Sequence, residues 1–371
     1  IDTYFRFDQY QGIVRTAELC NGSGDCRKTH LSGGTMCPSY MATREEKDTT
    51  RARANILREI LTGNDKSNPF DSEEIKEVMD LCLSCKGCKS ECPSNVDMAR
   101  LKAEFFQQYY DANRIPLRSL LIANINRINQ VASRFHWIYN LFLTTKPLSV
   151  LVKWMAGFAV KRSIPKLHRQ TLQKWYRTNK RFELDRMPDG AKKGKVYLFC
   201  DEFTNFNDVQ VGIMAIRLLN HIGYEVVIPK HRESGRSWFS KGLVKKARYF
   251  ANENVKTLKD IISEDAPLIG IEPSAILGFR DEYPDLVDEA LKTAADNLAP
   301  HCLMIDEFID REMERGRIPR SLFTDEKKHI KLHGHCHQKS IASQVPTKRM
   351  LSFPENYTVE VIPSGCCGMA G

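Results

Sequence analysis

From position 82 the chain reads Cys82-Leu-Ser-Cys85-Lys-Gly-Cys88-Lys-Ser-Glu-Cys92-Pro93. Three thiolates at C-x2-C-x2-C spacing on a short irregular loop reach three corners of one inorganic cube. The fourth cysteine lies past a turn, is held away by Pro93, and in two-cluster proteins serves the neighbouring cluster. The run therefore points to a [4Fe-4S] site at Cys82, Cys85 and Cys88. Zinc is the main rival for closely spaced cysteine pairs. Four consecutive cysteines ending in Cys-Pro fit zinc ribbons poorly.

The rest of the chain must supply a reducing setting for those thiols. It has 371 residues and twelve cysteines. A disulfide scaffold belongs to small secreted domains, so the thiols read as ligands. That reading places the protein in the cytoplasm or on the cytosolic face of a membrane. Hydrophobic content of 42% and charged content of 27% are those of a globular chain long enough for several cores. The sequence starts Ile1-Asp2-Thr3 and stops inside Cys366-Cys367-Gly368-Met369-Ala370-Gly371. Both ends suggest a portion of a longer polypeptide with a truncated C-terminus.

The expected architecture is α+β and multidomain. Residues 16–111 read as a small helical iron–sulfur domain. A helix over 49–61 would show Ile56, Leu57, Ile60 and Leu61 on one face. A second starts at Asp71-Ser72-Glu73-Glu74, a capping-box-like signal, and carries Ile75, Val78 and Met79 into Cys82. A third follows Pro93-Ser94-Asn95 and would direct its positive dipole end at the cluster.

Residues 112–194 read as a basic amphipathic helical linker. Fourteen Lys or Arg and no Asp or Glu fall between 112 and 182, although the whole chain is only +9. The stretch 137–160 is apolar, with Phe142, Leu148, Leu151, Trp154 and Phe158. Lys146, Pro147 and Lys153 interrupt it, so it is no transmembrane span of about 20 apolar residues. One reading is a linker that packs its apolar side on its neighbours and solvates its charges. The other is peripheral association with anionic lipid. Nothing resembles a nucleic-acid module.

Residues 195–371 alternate strand and helix, the pattern of βαβ units and a parallel sheet. Strands are expected at 196–199, 225–228, 268–271, 330–332 and 358–362. The layout repeats in halves of about 195–300 and 301–371. One strand ends at Cys200 and leads on to Glu233-Ser234-Gly235-Arg236. Another ends at Cys336 and leads on to Cys366-Cys367-Gly368. Only the second half keeps its cysteine pair. Cys302, with Leu303 and Phe308, reads as core within a helix.

Taken together, these motifs carry a family resemblance. Cys20-Asn-Gly-Ser-Gly-Asp-Cys26-Arg, Gly33-Gly34-Thr-Met-Cys37-Pro, Arg51-Ala-Arg53-Ala-Asn55 and the 82–93 run resemble the two-cluster ferredoxin-type region of bacterial FAD-linked D-2-hydroxyacid dehydrogenases, of the D-lactate and D-2-hydroxyglutarate type. His333-Gly-His335-Cys336-His337 and Ser364-Gly365-Cys366-Cys367-Gly368 resemble their cysteine-rich CCG domain. That domain is shared with glycolate oxidase iron–sulfur subunits and heterodisulfide reductase.

The resemblance implies that Cys37 completes one [4Fe-4S] cluster with Cys82, Cys85 and Cys88. Cys92 would join Cys20 and Cys26 at a possible second cluster. There Ser23 replaces an expected cysteine, so the site could hold a [3Fe-4S] cluster, use Ser23 or Asp25 as the fourth ligand, or be empty with three buried structural thiols. A CCG metal site, zinc or iron–sulfur, would use Cys336, Cys366 and Cys367. His333, His335 and His337 would flank it on one face of a strand. In the first half Glu233-Ser234 and Ala275 occupy cysteine positions, leaving Cys200 a buried relic.

Residues 1–15 would be the remnant of an upstream flavin domain holding FAD. The implied function is electron relay from a D-2-hydroxyacid dehydrogenase (D-lactate, glycolate or D-2-hydroxyglutarate) to a quinone or protein acceptor, with the flavin domain in the same chain or a separate subunit. Lys86, Lys89 and Arg27 would favour the reduced clusters by their charge. Arg51 and Arg53 read as charge compensation or as a solvated face. The alternatives are a heterodisulfide-reductase-like subunit with a catalytic CCG site, or a zinc-stabilised interaction module.

Overall fold

The computed structural model describes residues 1–63, 68–185, 187 and 192–366. Its architecture is α+β. In the first part, Thr50–Gly63 is helical and buries Thr50, Arg53, Ala54, Leu57 and Leu61. The inward stripe is therefore rotated from the expected one, and Arg53 lies inside it. Glu73–Asp80 begins where Ser72 Oγ accepts the Ile75 N–H at 3.3 Å, and it buries Ile75, Val78 and Met79. Met98–Ala112 begins where Asp97 Oδ1 accepts the Arg100 N–H at 3.1 Å. This helix is buried around most of its surface, because it lies between the iron–sulfur motifs and the sheet region.

The sheet has four parallel strands: β1 (Gly194–Phe199), β2 (Tyr224–Val227), β3 (Leu268–Gly270) and β4 (Cys302–Met304). Their order is β2-β1-β3-β4, with Val196 beside Val226, Tyr197 beside Leu268, and Leu268 beside Cys302. Cys302 is thus in a strand, not a helix. The run Cys302-Leu303-Met304 is three residues long and leads straight into the Ile305–Glu314 helix, so its apolar character merges with that helix. A second parallel pair, β5 (Lys328–Leu332) and β6 (Tyr357–Val361), aligns Ile330 with Val359. Parallel neighbours joined through helices thus occur three times, as β1–β2, β3–β4 and β5–β6.

One hydrophobic core runs through both parts. Phe5, Leu57, Met79 and Phe105 share it with Phe239, Val244, Leu268 and Met304. Phe5 meets Phe239 edge to face, ring centroids 5.5 Å apart. Glu104 accepts the backbone N–H groups of Tyr4 and Phe5, which seats the first residues of the chain in this core. A second core lies on the other side of the sheet, around Leu198, Ile216, Val226 and Phe308.

Residues 117–155 form short helices, among them His136–Thr144 and Leu148–Met155. Among the described residues no helix is long and apolar enough to cross a membrane.

Candidate iron–sulfur centre and its surroundings

The 82–92 loop owes its shape to backbone that most side chains avoid. Ser84 and Lys86 take left-handed conformations (φ 52° and 63°), as does Cys37 (φ 54°). Gly87 then opens the Gly87–Glu91 helix. A Cβ at Gly87 would stand 3.0 Å from the Met36 nitrogen, so this residue brings the Thr35–Cys37 backbone onto the cysteine loop.

The result is a cavity of about 320 Å³, partly open, lined by Cys37, Cys82, Cys85 and Cys88 together with Thr50 and Arg53. Met98 and Ala99, at the start of the Met98–Ala112 helix, close it. That places a helix N-terminus where an anionic group is favoured. Cys37, 45 positions before Cys82 in sequence, stands with the three cysteines of the loop.

The thiols are held from several sides. The Thr50 N–H donates to Cys37 Sγ at 3.1 Å, and the Thr50 hydroxyl lies 3.0 Å from the same sulfur. Burial pushes the Cys88 thiol up to about 12, with the charge of Asp97 adding to it. A hydrogen bond with Cys366 and then burial raise the Cys85 thiol well above its ordinary value. Buried thiols in that state ionise when a cationic metal centre binds them. The donor set therefore fits an iron–sulfur cube.

Cys26 and Cys37 share a hydrogen bond. It holds the Cys26 thiol down, to about 6, and pushes Cys37 up. Cys92 is buried and its charge is felt at Cys88, and Cys20 is half-buried. Ser23 and Asp25 are exposed.

The positive charges of the loop are cancelled. Lys86 has no solvent exposure and pairs with Asp281 and, at 2.5 Å, with Glu282. Lys89 pairs with Asp281 and lies 3.6 Å from Asp97. Arg27 lies 3.4 Å from Glu46. The bias toward reduction expected of these cations is opposed at Lys86 and Lys89, whose charges Asp281 and Glu282, remote in sequence, offset. Arg53 is buried against Asp48 at 3.4 Å and donates to the Val78 carbonyl at 2.8 Å, whereas Arg51 is partly exposed and bonds Glu46.

The histidine-rich segment also departs from expectation. β5 ends at Leu332, and His335 caps the Cys336–Ile341 helix by accepting the His337 N–H at 3.2 Å. The three histidines consequently do not share a strand face. His333 is exposed and bonds Ser364. His335 lies 3.6 Å from Glu272 and is held down to about 4 by burial. His337 is 2% exposed, and neither ring nitrogen has a hydrogen-bond partner among the described residues.

Cys336 is buried, and its helix packs on Gly87–Glu91. Cys366 reaches Cys85, and Gly365 packs so closely that a Cβ there would meet the Gly34 carbonyl at 3.0 Å. Cys367 lies outside the described residues. Among the described residues no group of three or more His, Cys, Asp or Glu is spaced to hold a single metal ion. A cube differs from a single ion in spreading its ligands over four irons.

In the first half, Cys200 is buried, and its N–H donates to His231 at 3.2 Å. Ser234 donates to Glu202 at 2.6 Å, and Ala275 is core. Thr50 as a sulfur donor and the Cys85–Cys366 contact carried no local sequence signal.

Residues 19–97 match the 4Fe-4S dicluster domain family. Over 98% of its length the chain is 24% identical to a D-2-hydroxyglutarate dehydrogenase of Haemophilus influenzae, covering 38% of that protein. It is 26% identical to a subunit of the anaerobic glycerol-3-phosphate dehydrogenase of Escherichia coli, over 71% of this chain and 64% of that one. A glycolate oxidase iron–sulfur subunit of Escherichia coli is 33% identical over 60 residues, 16% of this chain and 14% of that one. The chain thus spans 38% of the length of the D-2-hydroxyglutarate dehydrogenase it matches. No solved structure matches it significantly. These relatives bear out the resemblance read from the cysteine motifs.

Proposed function

We propose that this chain, related over nearly its whole length to iron–sulfur-bearing dehydrogenases, is the electron-relay portion of an FAD-linked enzyme that oxidises a D-2-hydroxyacid. D-2-hydroxyglutarate is the first candidate substrate, followed by D-lactate and glycolate. The acceptor would be a quinone or another protein. The observation that carries the reading is the joint lining of one cavity by Cys37, Cys82, Cys85 and Cys88.

When bound, a [4Fe-4S] cluster supplies one-electron chemistry between a two-electron flavin and its acceptor. The chain's own residues set the conditions for it. Cys37, Cys82, Cys85 and Cys88 would hold the first cluster, and Cys20, Cys26 and Cys92 a second. Thr50 directs an N–H at the Cys37 sulfur, and such hydrogen bonds favour the more negative state and raise the potential. Lys86 and Lys89 with Asp281 and Glu282 keep the surroundings near neutral. Met98 and Ala99 cover the ligand loop on one side.

Anaerobic purification with iron, sulfide and zinc counts and low-temperature EPR tests this. About four irons per chain mean one cube and about seven or eight mean two. Cys82→Ser should lose the first cluster signal, and Cys200→Ser should retain it. A colourless, iron-free protein after reconstitution, or zinc in place of iron, defeats the proposal.

A further inference from the structure

Half of the large apolar side chains that stand exposed among the described residues fall between Val131 and Val160. Eight of these eleven belong to a hairpin of two packed helices, His136–Thr144 and Leu148–Met155. Trp137 and Leu141 are four apart, as are Leu151 and Met155, so each helix presents an outward apolar stripe. Trp137 is 63% exposed and Trp154 72%.

The inner side of the hairpin is mixed, with Leu143 buried beside polar groups, while most of its large apolar side chains point out. Ser149 and Lys153 are buried, at 5% and 6% exposure, and Lys153 Nζ donates to the Val160 carbonyl at 3.4 Å. Asn140 accepts the Leu167 N–H and donates to the Leu167 carbonyl, both at 2.9 Å. The Asn140 bonds tie the first helix to the buried Leu167, whose neighbours Lys166 and His168 bond Asn207 and Phe206, whereas the Lys153 bond stays within the hairpin segment.

The charge around the stripe has one sign. Arg134, Lys146, Lys161 and Lys166 are exposed, and no Asp or Glu occurs from 112 to 182. Two copies of such a surface would repel each other, whereas an anionic surface attracts it. Tryptophan suits the headgroup layer, where one end of the ring is apolar and the other wet.

We propose that the 131–160 hairpin seats the protein in the interface of an anionic phospholipid bilayer. The apolar stripe enters the headgroup–acyl boundary, and the flanking lysines and arginines contact lipid phosphates. The contact extends the electron-relay reading, since it would bring the clusters to the plane of a lipid-soluble acceptor. It stands on the hairpin alone and would survive a different substrate or acceptor.

The test is sedimentation of the cluster-loaded protein with phosphatidylcholine vesicles, with and without phosphatidylglycerol. Binding should be about tenfold tighter to the anionic vesicles and weaken at high salt. Brominated lipid should quench the fluorescence of the unmutated protein. The double substitution Leu151→Glu and Trp154→Glu should lower binding about tenfold with iron content unchanged. Lys146→Glu should lower it while leaving the apolar stripe intact. Absence of vesicle binding and of quenching overturns the proposal, and so does equal binding by the double variant. A dimer that the double variant dissociates, without lipid binding, would assign the face to a protein partner and also overturn it. Lipid binding by a protein that takes up no iron on reconstitution would instead count against the relay reading alone.

Discussion

The ammonium of Lys86 lies 2.5 Å from a carboxylate oxygen of Glu282, out of contact with solvent. The lysine comes from the cysteine loop and the glutamate from the segment after β3. The same segment contributes Asp281, which pairs with Lys86 and Lys89 and lies 3.2 Å from Arg100. The electrostatics at the cysteines are therefore set by both parts of the chain.

Asp281→Asn removes one negative charge from that network. Lys86 and Lys89 are then less compensated, and a reduced, more negative cluster is favoured. At about 10 Å and an effective dielectric of about 20, one unit charge is worth about 1.7 kcal/mol, or about 70 mV for a one-electron couple. The midpoint of the nearer cluster should rise by a shift of that order. Lys89→Gln should lower it. Redox titration followed by EPR measures both, and shifts of the same sign in the two variants would contradict this assignment.

Cys366→Ala tests the contact with Cys85. Once Cys85 is ionised as a ligand the Cys366 thiol becomes the donor, and a hydrogen bond to a ligand sulfur stabilises the more negative state and so raises the potential. The variant should keep its iron, alter the EPR line shape of one cluster and lower its midpoint. Loss of about four irons per chain would instead make Cys366 a ligand.

Arg53→Met should be severe, although the side chain touches no solvent-exposed feature. Arg53 and Asp48 are each 2% exposed, and the guanidinium also serves the Asp48 carbonyl at 2.7 Å and Ser39 at 3.2 Å. Removing it strands a buried carboxylate, at a cost of about 3–5 kcal/mol. Arg53→Lys restores the charge without the planar fork and should recover only part of the loss. Urea unfolding under anaerobic conditions gives both numbers, and a change below about 1 kcal/mol for Arg53→Met would place the pair among surface ion pairs.

What the sequence disclosed depends on whether the signal was local. The spacing of Cys82, Cys85 and Cys88, the Ser72 cap and the strands β1, β2 and β3 are local patterns and were legible. β4 was not, since a three-residue strand inside an apolar run lacks a period of its own. Nor was the inward turn of Arg53, because periodicity counts apolar residues and overlooks an arginine met by the nearby Asp48 carboxylate and the remote Val78 carbonyl. The alternation at His333, His335 and His337 suggested a strand, but the His335 cap turned it into a helix start. The Asp281 and Cys366 contacts are tertiary, and no spacing announces them. For the 131–160 segment the apolar content was visible. Which way it faces was not, since that depends on Asn140 finding the buried Leu167 backbone.

A cluster of buried carboxyl groups at the carboxyl ends of β1 and β2 gives stability a pH dependence. Burial holds the Asp201 and Glu202 carboxyls up at about 6, and their charged neighbours add to it. Glu233 is held up at about 7 by burial and then by Glu202. These groups bind protons more tightly folded than unfolded. Between the unfolded carboxylate range and about pH 7 the native state therefore carries the extra protons, so stability falls as pH rises through that window. Glu233 is partly open to water, which reduces its share to on the order of 1–2 kcal/mol. Glu233→Gln keeps an acceptor for the Trp238 indole N–H, now 3.1 Å from the carboxylate, and removes the titration. Compared at pH 5.5 and pH 8 by anaerobic urea unfolding, the unmodified protein should lose stability on going to the higher pH. The variant should lose less, and a steeper loss in the variant would show that Glu233 is not the group being titrated.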